Sequence, residues 1–251
     1  MFEKVVLADI VAIAKEAGDA VMKIYEKDFK VSYKDDKSPL TEADLLANKI
    51  ISTRLNSLFP SIYIMSEETQ AREYAIRKDY REYWCVDPID GTKEFIKKNG
   101  EFTINIALIK DNKAVLGVVY APALGDMYSA KLGEGSFKNT YKLPIYFNNE
   151  PNKKLVVVAS KSHLSQETKD YIKELDTEEV IQISVGSSLK LCLVAEGKAD
   201  VYPRLSPTME WDIAAANVIV SEAGKNVFSY KTNKELKYNK IDLLNEWFIV
   251  K

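Results

Sequence analysis

The chain has 251 residues, and its 35 lysines and arginines nearly balance its 37 aspartates and glutamates, for a net charge of −2. This balance excludes a generally basic nucleic-acid-binding protein, and the single histidine excludes metal sites that need two histidine ligands. Two cysteines and no long uncharged apolar run predict a cytoplasmic protein without disulfides, signal peptide or transmembrane helix. The oligomeric state, and a peripheral position at the inner face of the cell membrane, are left open.

The first sixty residues predict two helices. Apolar side chains recur every three or four positions from Val6 to Ile24, as on the buried face of a long amphipathic helix. The polar segment 31–39 predicts an exposed, mobile loop. A second helix is expected to begin at Thr41 and to end at Pro60.

The residues that follow predict strands. Short apolar runs at 62–65 and 83–86 precede three longer runs at 102–109, 115–120 and 126–132. Short turns separate the last three, so we expect an antiparallel meander. Two helices followed by strands predict an α+β lobe.

The second half alternates between the two periods. It predicts strands at 155–159, 180–184 and 199–203, and helices at 166–175, 189–196 and 211–223. The polar segment 146–154 is the best candidate for the boundary between two lobes. We therefore predict an N-terminal α+β lobe over 1–148 and a C-terminal α/β lobe over 149–251.

The hexapeptide DPIDGT at 87–92 is the first candidate for chemistry. Its proline restricts the backbone, so Asp87 and Asp90 are held three residues apart and can converge on one point. Carboxylates and the intervening carbonyl are ligands that Mg²⁺ prefers, and amides at a helix start bind anions. The competing interpretation is a plain turn, which Asp-Pro and Asp-Gly favour.

Three further acidic residues have both a structural and a functional interpretation. Glu67 follows a strand, where sheet ends gather ligands, but it could equally lie in a solvated loop. Asp212 begins an alanine-rich helix, where the helix dipole favours an acidic residue. Thr41 and Asp44 have the spacing of a capping box, which explains both without any catalytic role.

In this order, Asp44 in SPLTEAD, Glu67 in SEE, DPIDGT and the Trp-Asp pair at 211–212 resemble the inositol monophosphatase superfamily. Within it, DPIDGTKEFIKKNGEFTINIALI, GSSLKLCLVAEGKADVYPR and PTMEWDIAAA are similar to the 3′(2′),5′-bisphosphate nucleotidases of the CysQ type. Lys225 departs from the family, which usually has glycine there. The resemblance covers nearly the whole chain and thins at 141–154 and after Ser229.

The resemblance implies a layered α-β-α-β-α sandwich of the inositol monophosphatase and fructose-1,6-bisphosphatase type, with two or three Mg²⁺ ions per active site. It implies metal ligation by Glu67, Asp87, the Ile89 carbonyl, Asp90 and Asp212. It further implies that Asp44 and Thr92 activate the attacking water, that the Gly91 and Thr92 amides hold the phosphate, and that lithium inhibits. Most of the metal ligands would lie in the first lobe, and the last ligand would lie in the second.

The resemblance also implies the reaction, which is hydrolysis of adenosine 3′,5′-bisphosphate (PAP) to AMP and phosphate, linked to sulfate assimilation. A second phosphate needs its own cationic partner, and the second lobe offers basic residues for it. The predicted nucleotide pocket consists of Ser160, His163, Gly186, Ser187, Lys190 and Arg204. The competing interpretation is that these lysine, arginine and histidine side chains are solvated surface groups.

Other functions are weighed against this one. The runner-up is an inositol monophosphatase or a broad sugar phosphatase of the same superfamily. A haloacid-dehalogenase-type phosphatase has one residue between its aspartates, whereas this chain has two. A single histidine argues against a Ser-His-Asp triad. A non-catalytic nucleotide or metal sensor is disfavoured because the set of candidate site residues is intact: Glu67, Asp87, Asp90, Thr92 and Asp212.

Overall fold

The computed structural model of the chain describes residues 2–35, 37–146, 154–159 and 165–251. Both long N-terminal helices form where the apolar periodicity predicts them. Among the described residues, the α-helices are α1 (Leu7–Tyr25), α2 (Glu42–Leu58), α3 (Tyr74–Arg77), α4 (Thr92–Ile96), α5 (Gln166–Lys173), α6 (Leu189–Glu196) and α7 (Glu210–Glu222). None of these helices is long and apolar enough to cross a membrane.

The strands of the first half form one large sheet, in which they are neighbours in this order: β3 (Tyr63–Ser66), β4 (Glu82–Asp90), β5 (Thr103–Lys110), β6 (Lys113–Ala121), β7 (Asp126–Lys131), β8 (Gly135–Lys138) and β9 (Tyr141–Lys142). β3 pairs with β4 in parallel, and the later pairs are antiparallel, which confirms the predicted meander. Asp111 and Asn112 form its first turn with positive φ at both positions, as a two-residue hairpin requires.

Both faces of this sheet are buried, and alternation along each strand decides which face a side chain joins. Trp84 and Val86 pack with α1 and α2, whereas Tyr83 and Cys85 pack with α6 and α7. Both groups are almost fully shielded from solvent. The sheet therefore lies between two helical layers, and its site-bearing strand β4 is the second strand from one edge.

The second half adds the remaining layers. β10 (Lys154–Ala159) pairs in parallel with β11 (Glu179–Ser184), and β12 (Tyr202–Arg204), β14 (Phe248–Val250) and β13 (Val227–Ser229) form an antiparallel sheet. A bridge from Val157 to Val201 links the two sheets, and α5 packs on them. The result is the predicted α-β-α-β-α order of layers.

Several elements differ from the sequence prediction. Segment 31–39, predicted as a loop, contributes an antiparallel pair, β1 (Val31–Tyr33) with β2 (Pro39–Thr41), because its backbone pairs locally despite its charges. The strand predicted at 83–86 continues to Asp90, so DPID is the end of a strand and not a turn. Strands β8, β9, β13 and β14 are only two to four residues long and were not predicted.

Helix α7 joins the two predicted lobes. It packs against β4, β5 and β6 of the first half, and its apolar residues share one buried cluster with β14. Residues 147–153, around the predicted boundary at 148, lie outside the described part of the chain. The division into lobes at that position stays a prediction.

Candidate active site

A cleft of about 480 Å³ opens where β4 ends, between α4 and the start of α6. The predicted site residues that line it lie up to 145 positions apart in the chain, from Glu67 to Asp212. The predicted site residues along its walls are Glu67, Asp87, Ile89, Asp90, Gly91, Thr92, Gly186, Ser187, Lys190, Arg204 and Asp212. Asp44 lies behind Thr92, and Ser160 and His163 fall outside the described residues.

The end of β4 presents the two aspartates of DPIDGT. Asp87 pairs with Asn105 across the sheet and Asp90 pairs with Thr103, and the register shifts between them. Regular alternation would place residues three apart on opposite faces, so this irregularity is what allows both side chains to line one cleft. Asp87 Oδ1 accepts a hydrogen bond from the Ile89 amide at 3.1 Å, which fixes the orientation of this carboxylate at the irregular end of β4.

Gly91 connects β4 to α4, and its lack of a side chain allows Glu101 and Ser187 to approach this connection closely. Its φ of +91° lies in the left-handed region, where a side chain would be strained. A Cβ atom here would lie 3.2 Å from the Glu101 carbonyl oxygen and 3.3 Å from Ser187 Cβ. The sequence predicted this glycine as a phosphate contact, and the structure adds a steric reason for it.

Three carboxylates line the cleft and repel one another: Asp87 is buried, and Asp90 and Asp212 are partly buried. Burial raises the pKa of Asp87, and the charges of Glu67, Asp90 and Asp212 raise it further. Burial also raises the pKa of Asp90. For Asp212, burial and then the charge of Asp90 raise the pKa to about 8. A cation bound among these groups would offset their repulsion and favour the ionised forms.

The donor chemistry of this cluster fits a hard divalent cation, because it offers carboxylate and carbonyl oxygens at the end of one strand. Among the described residues, no three acidic, histidine or cysteine side chains are arranged as a finished ligand cluster. Glu67 Oε1 pairs with Lys34 Nζ at 2.8 Å, and Asp212 Oδ2 accepts from the Met209 amide at 2.9 Å. The metal-ligand roles of these residues therefore stay predictions.

Asp44 combines a structural and a chemical arrangement. Its Oδ2 accepts from the Thr41 amide at 2.8 Å and from the Thr41 hydroxyl at 2.6 Å, so the predicted capping box of α2 is present. Its Oδ1 lies 3.2 Å from Thr92 Oγ1. Burial raises the pKa of Asp44, which makes this carboxylate a better proton acceptor.

A basic wall, consisting of Lys190 and Arg204, faces the carboxylates. Lys190 is only 8% exposed, and its Nζ donates to the Ser187 carbonyl oxygen at 2.7 Å. Burial lowers the pKa of Lys190 to about 8, against the opposing influence of Asp90. Arg204 Nη2 donates to the Pro207 carbonyl oxygen at 2.8 Å, and its buried Nε has no hydrogen-bond partner among the described residues. These side chains are therefore not the solvated surface groups of the competing interpretation.

The turn before α6 carries Gly186 and Ser187, which were predicted to line the nucleotide pocket. The Gly186 amide donates to Glu101 Oε2 at 3.0 Å, so this N–H group is already paired with a carboxylate of the protein and not directed at a substrate anion. Ser187 has a φ of +48°, and its buried hydroxyl has no partner among the described residues. A Cβ on Gly186 would lie 2.6 Å from the Glu101 carbonyl oxygen, so this glycine is needed for close packing.

Sequence reasoning missed three residues that contact the site. Lys34 was assigned to a mobile loop, yet it bridges Glu67 and Glu68 at 2.8 and 2.7 Å. Glu101 and Ser188 were not assigned individual contacts, although they hold Gly186 and Asp90. Their partners lie 33 to 98 positions away, so no local pattern could have indicated them.

The comparisons with known proteins cover nearly the whole chain. The family model described as "Inositol monophosphatase family" matches residues 3–247. The chain is 43% identical over 234 residues to the 3′(2′),5′-bisphosphate nucleotidase CysQ of Escherichia coli strain K12, covering 92% of this chain and 93% of that protein.

Solved structures give the same result. The crystal structure of CysQ from Bacteroides thetaiotaomicron matches with a TM-score of 0.86 and 41% identity, over 98% of this chain and 96% of that one. The Thermotoga maritima IMPase matches with a TM-score of 0.78 and 26% identity, over 96% and 89%. The fold is therefore shared across nearly the whole chain.

Proposed function

Since the chain belongs to the inositol monophosphatase family, we propose that it is a Mg²⁺-dependent 3′(2′),5′-bisphosphate nucleotidase that converts adenosine 3′,5′-bisphosphate to AMP and phosphate. The observation that carries the proposal is the cleft in which buried carboxylates face Lys190 and Arg204. Its biological role would be to clear a by-product of sulfate assimilation in the cytoplasm.

The carboxylate side of the cleft would hold two or three Mg²⁺ ions. The proposed ligands are Glu67, Asp87, the Ile89 carbonyl, Asp90 and Asp212. When bound, such ions neutralise charge on the attacking and leaving oxygens of a phosphomonoester and lower the pKa of a bound water. Burial raises the pKa values of Asp87, Asp90 and Asp212, and neighbouring carboxylates raise those of Asp87 and Asp212 further, so an added positive charge would be favoured there.

Asp44 and Thr92 form the proposed proton relay. Oδ2 of Asp44 is held by both donors of Thr41, so the carboxylate cannot rotate freely. This leaves Oδ1 directed at the Thr92 hydroxyl, 3.2 Å away. Thr92 can pass its proton to Asp44 Oδ1 while it accepts one from the attacking water, and the raised pKa of Asp44 favours this transfer.

The reacting phosphate and the second phosphate would occupy opposite sides of the cleft. The Gly91 and Thr92 amides lie at the start of α4, where N–H groups lack helical acceptors, and they would hold the reacting phosphate. The ammonium of Lys190 and the guanidinium of Arg204 would pair with the second phosphate. A monophosphorylated polyol has no group for that wall.

A direct assay tests the proposal. Phosphate release is measured from adenosine 3′,5′-bisphosphate and from inositol 1-phosphate, each with and without Mg²⁺. We expect kcat/KM to favour the nucleotide and to depend on Mg²⁺, with inhibition by lithium. A clear preference for the inositol ester would contradict the nucleotidase and favour the runner-up, an inositol monophosphatase.

A further inference from the structure

We infer that Ser188 is a positioning residue that holds the Asp90 carboxylate in register with the start of α7. The inference rests on the proposed metal-dependent function, because Asp90 and Asp212 are its proposed ligands. Ser188 lies at the start of α6 and is 1% exposed, whereas Asp90 lies at the end of β4 and Asp212 lies in α7.

The Ser188 hydroxyl contacts three separate elements of the fold. Its Oγ lies 2.9 Å from Asp90 Oδ2, at the end of β4, and 2.5 Å from the carbonyl oxygen of Asp212, in α7. The amide of Asn105, in β5, donates to the same Oγ at 2.9 Å. One side chain thus connects the first half, which carries Asp90, to the second half, which carries Asp212.

The chemistry of these contacts fixes the orientation of the hydroxyl. A serine oxygen accepts at its lone pairs and donates one proton. Because Asn105 Nδ2 donates to the oxygen, the proton is directed at the acceptors Asp90 Oδ2 and the Asp212 carbonyl. Asn105 is itself paired with Asp87 in the β4–β5 ladder, so the donor is rooted in the buried sheet.

Removal of this hydroxyl would take one contact from each of its three partners. Asp90 would lose a donor that restricts its rotation, and the buried Asn105 amide would lose its acceptor. Hydrogen-bonding partners behind metal ligands tune metal affinity by about 10–100-fold. Lys190 of the basic wall, by contrast, donates to the Ser187 carbonyl oxygen and not to the Ser188 hydroxyl. Removal of that hydroxyl would therefore leave this contact of Lys190 in place.

Mn²⁺ binding in the absence of nucleotide tests the inference directly. Free Mn²⁺ is measured by electron paramagnetic resonance for the wild type, Ser188→Ala and Ser188→Cys, and melting temperatures are recorded alongside. We expect about tenfold weaker binding for Ser188→Ala. Ser188→Cys keeps the size of the side chain with a weaker donor, so it should lie between the two.

Ser136→Ala is the matched control, since Ser136 is also buried but its hydroxyl has no partner among the described residues and does not line the cleft. In turnover, Ser188→Ala should lower kcat and raise the Mg²⁺ requirement while KM for the bisphosphate stays within about twofold, as expected when a contact that binds substrate is not lost. Ser136→Ala should leave both Mn²⁺ binding and kcat unchanged.

Two results would overturn the inference. One is wild-type Mn²⁺ affinity in a folded Ser188→Ala or, if that variant unfolds, in Ser188→Cys. The other is a change in KM alone, which would make Ser188 a substrate contact. A wild type that binds Mn²⁺ but hydrolyses no nucleotide would contradict the proposed function, and the Mn²⁺ comparison would still decide the role of Ser188.

Discussion

The cleft has two walls that differ in what surrounds each charge: an acidic wall, consisting of Glu67, Asp87, Asp90 and Asp212, and a basic wall, consisting of Lys190 and Arg204. Asp87 and Asp212 have like charges as their nearest electrostatic neighbours, and these raise their pKa values beyond the effect of burial. On the opposite wall, burial lowers the pKa of Lys190, and the opposite charge of Asp90 limits the change. The carboxylates therefore need a cation to ionise together, whereas the ammonium keeps its charge up to about pH 8.

This difference explains how one cleft can handle a substrate with two phosphates. The acidic wall can approach one phosphate only through bound cations, because like charges repel directly. The basic wall can pair with a phosphate directly. The separation of charge predicts that changes on the acidic wall reduce turnover on every substrate, and that changes on the basic wall act on the bisphosphate.

The largest effect is expected for Asp90→Asn. Loss of one carboxylate from the proposed metal set should lower kcat at least about 1,000-fold on both nucleotide and inositol esters, equivalent to about 4 kcal/mol. Asp111→Asn, at an exposed aspartate paired with Arg81, is the matched control and should be neutral. Turnover within tenfold of wild type for Asp90→Asn would show that Asp90 is not needed at the acidic wall.

The next effect is expected for Lys190→Ala. A lost contact to a charged partner costs about 2 kcal/mol, so KM for adenosine 3′,5′-bisphosphate should rise about 30-fold. KM for inositol 1-phosphate should change little, and Lys173→Ala, an exposed lysine of α5, should change neither. An unchanged KM for the bisphosphate would remove Lys190 from second-phosphate binding.

The pH dependence of KM sharpens the same contrast. Lys190 loses its proton as the pH rises through about 8, so its pairing with phosphate is present below that pH and lost above it. KM for the bisphosphate should therefore rise about tenfold between pH 7 and 9, while KM for inositol 1-phosphate should not follow. In Lys190→Arg the rise should vanish because guanidinium stays protonated. A rise that persists in this variant would point to another group.

The smallest effect is expected for Lys34→Ala, at the edge of the acidic wall. Lys34 pairs with Glu67 and Glu68, so it competes with any cation that Glu67 binds. Because partly exposed ion pairs are weak, the Mg²⁺ concentration for half-maximal activity should fall only about threefold. Lys30→Ala, at a nearby exposed lysine, serves as the control. A higher Mg²⁺ requirement would show that Lys34 supports the metal site.

The local parts of this protein could be read from its sequence. The three- and four-residue spacing of apolar side chains predicted α1 and α2, and the capping box at Thr41 was present as expected. Alternating apolar runs predicted the meander from β5 to β7. These features depend on neighbours within a few residues, so the information lies in short stretches of sequence.

The motif order identified the family and its candidate site residues, but not how they are held. Lys34 on Glu67, Glu101 on Gly186 and Ser188 on Asp90 join residues 33, 85 and 98 positions apart. Such pairs form only when the sheet and helices pack, and no local pattern encodes them. The sequence by itself determined which ionisable residues the protein has. The tertiary structure decided which of them face each other, and therefore which of them are ionised, because burial and neighbouring charges shift their pKa values.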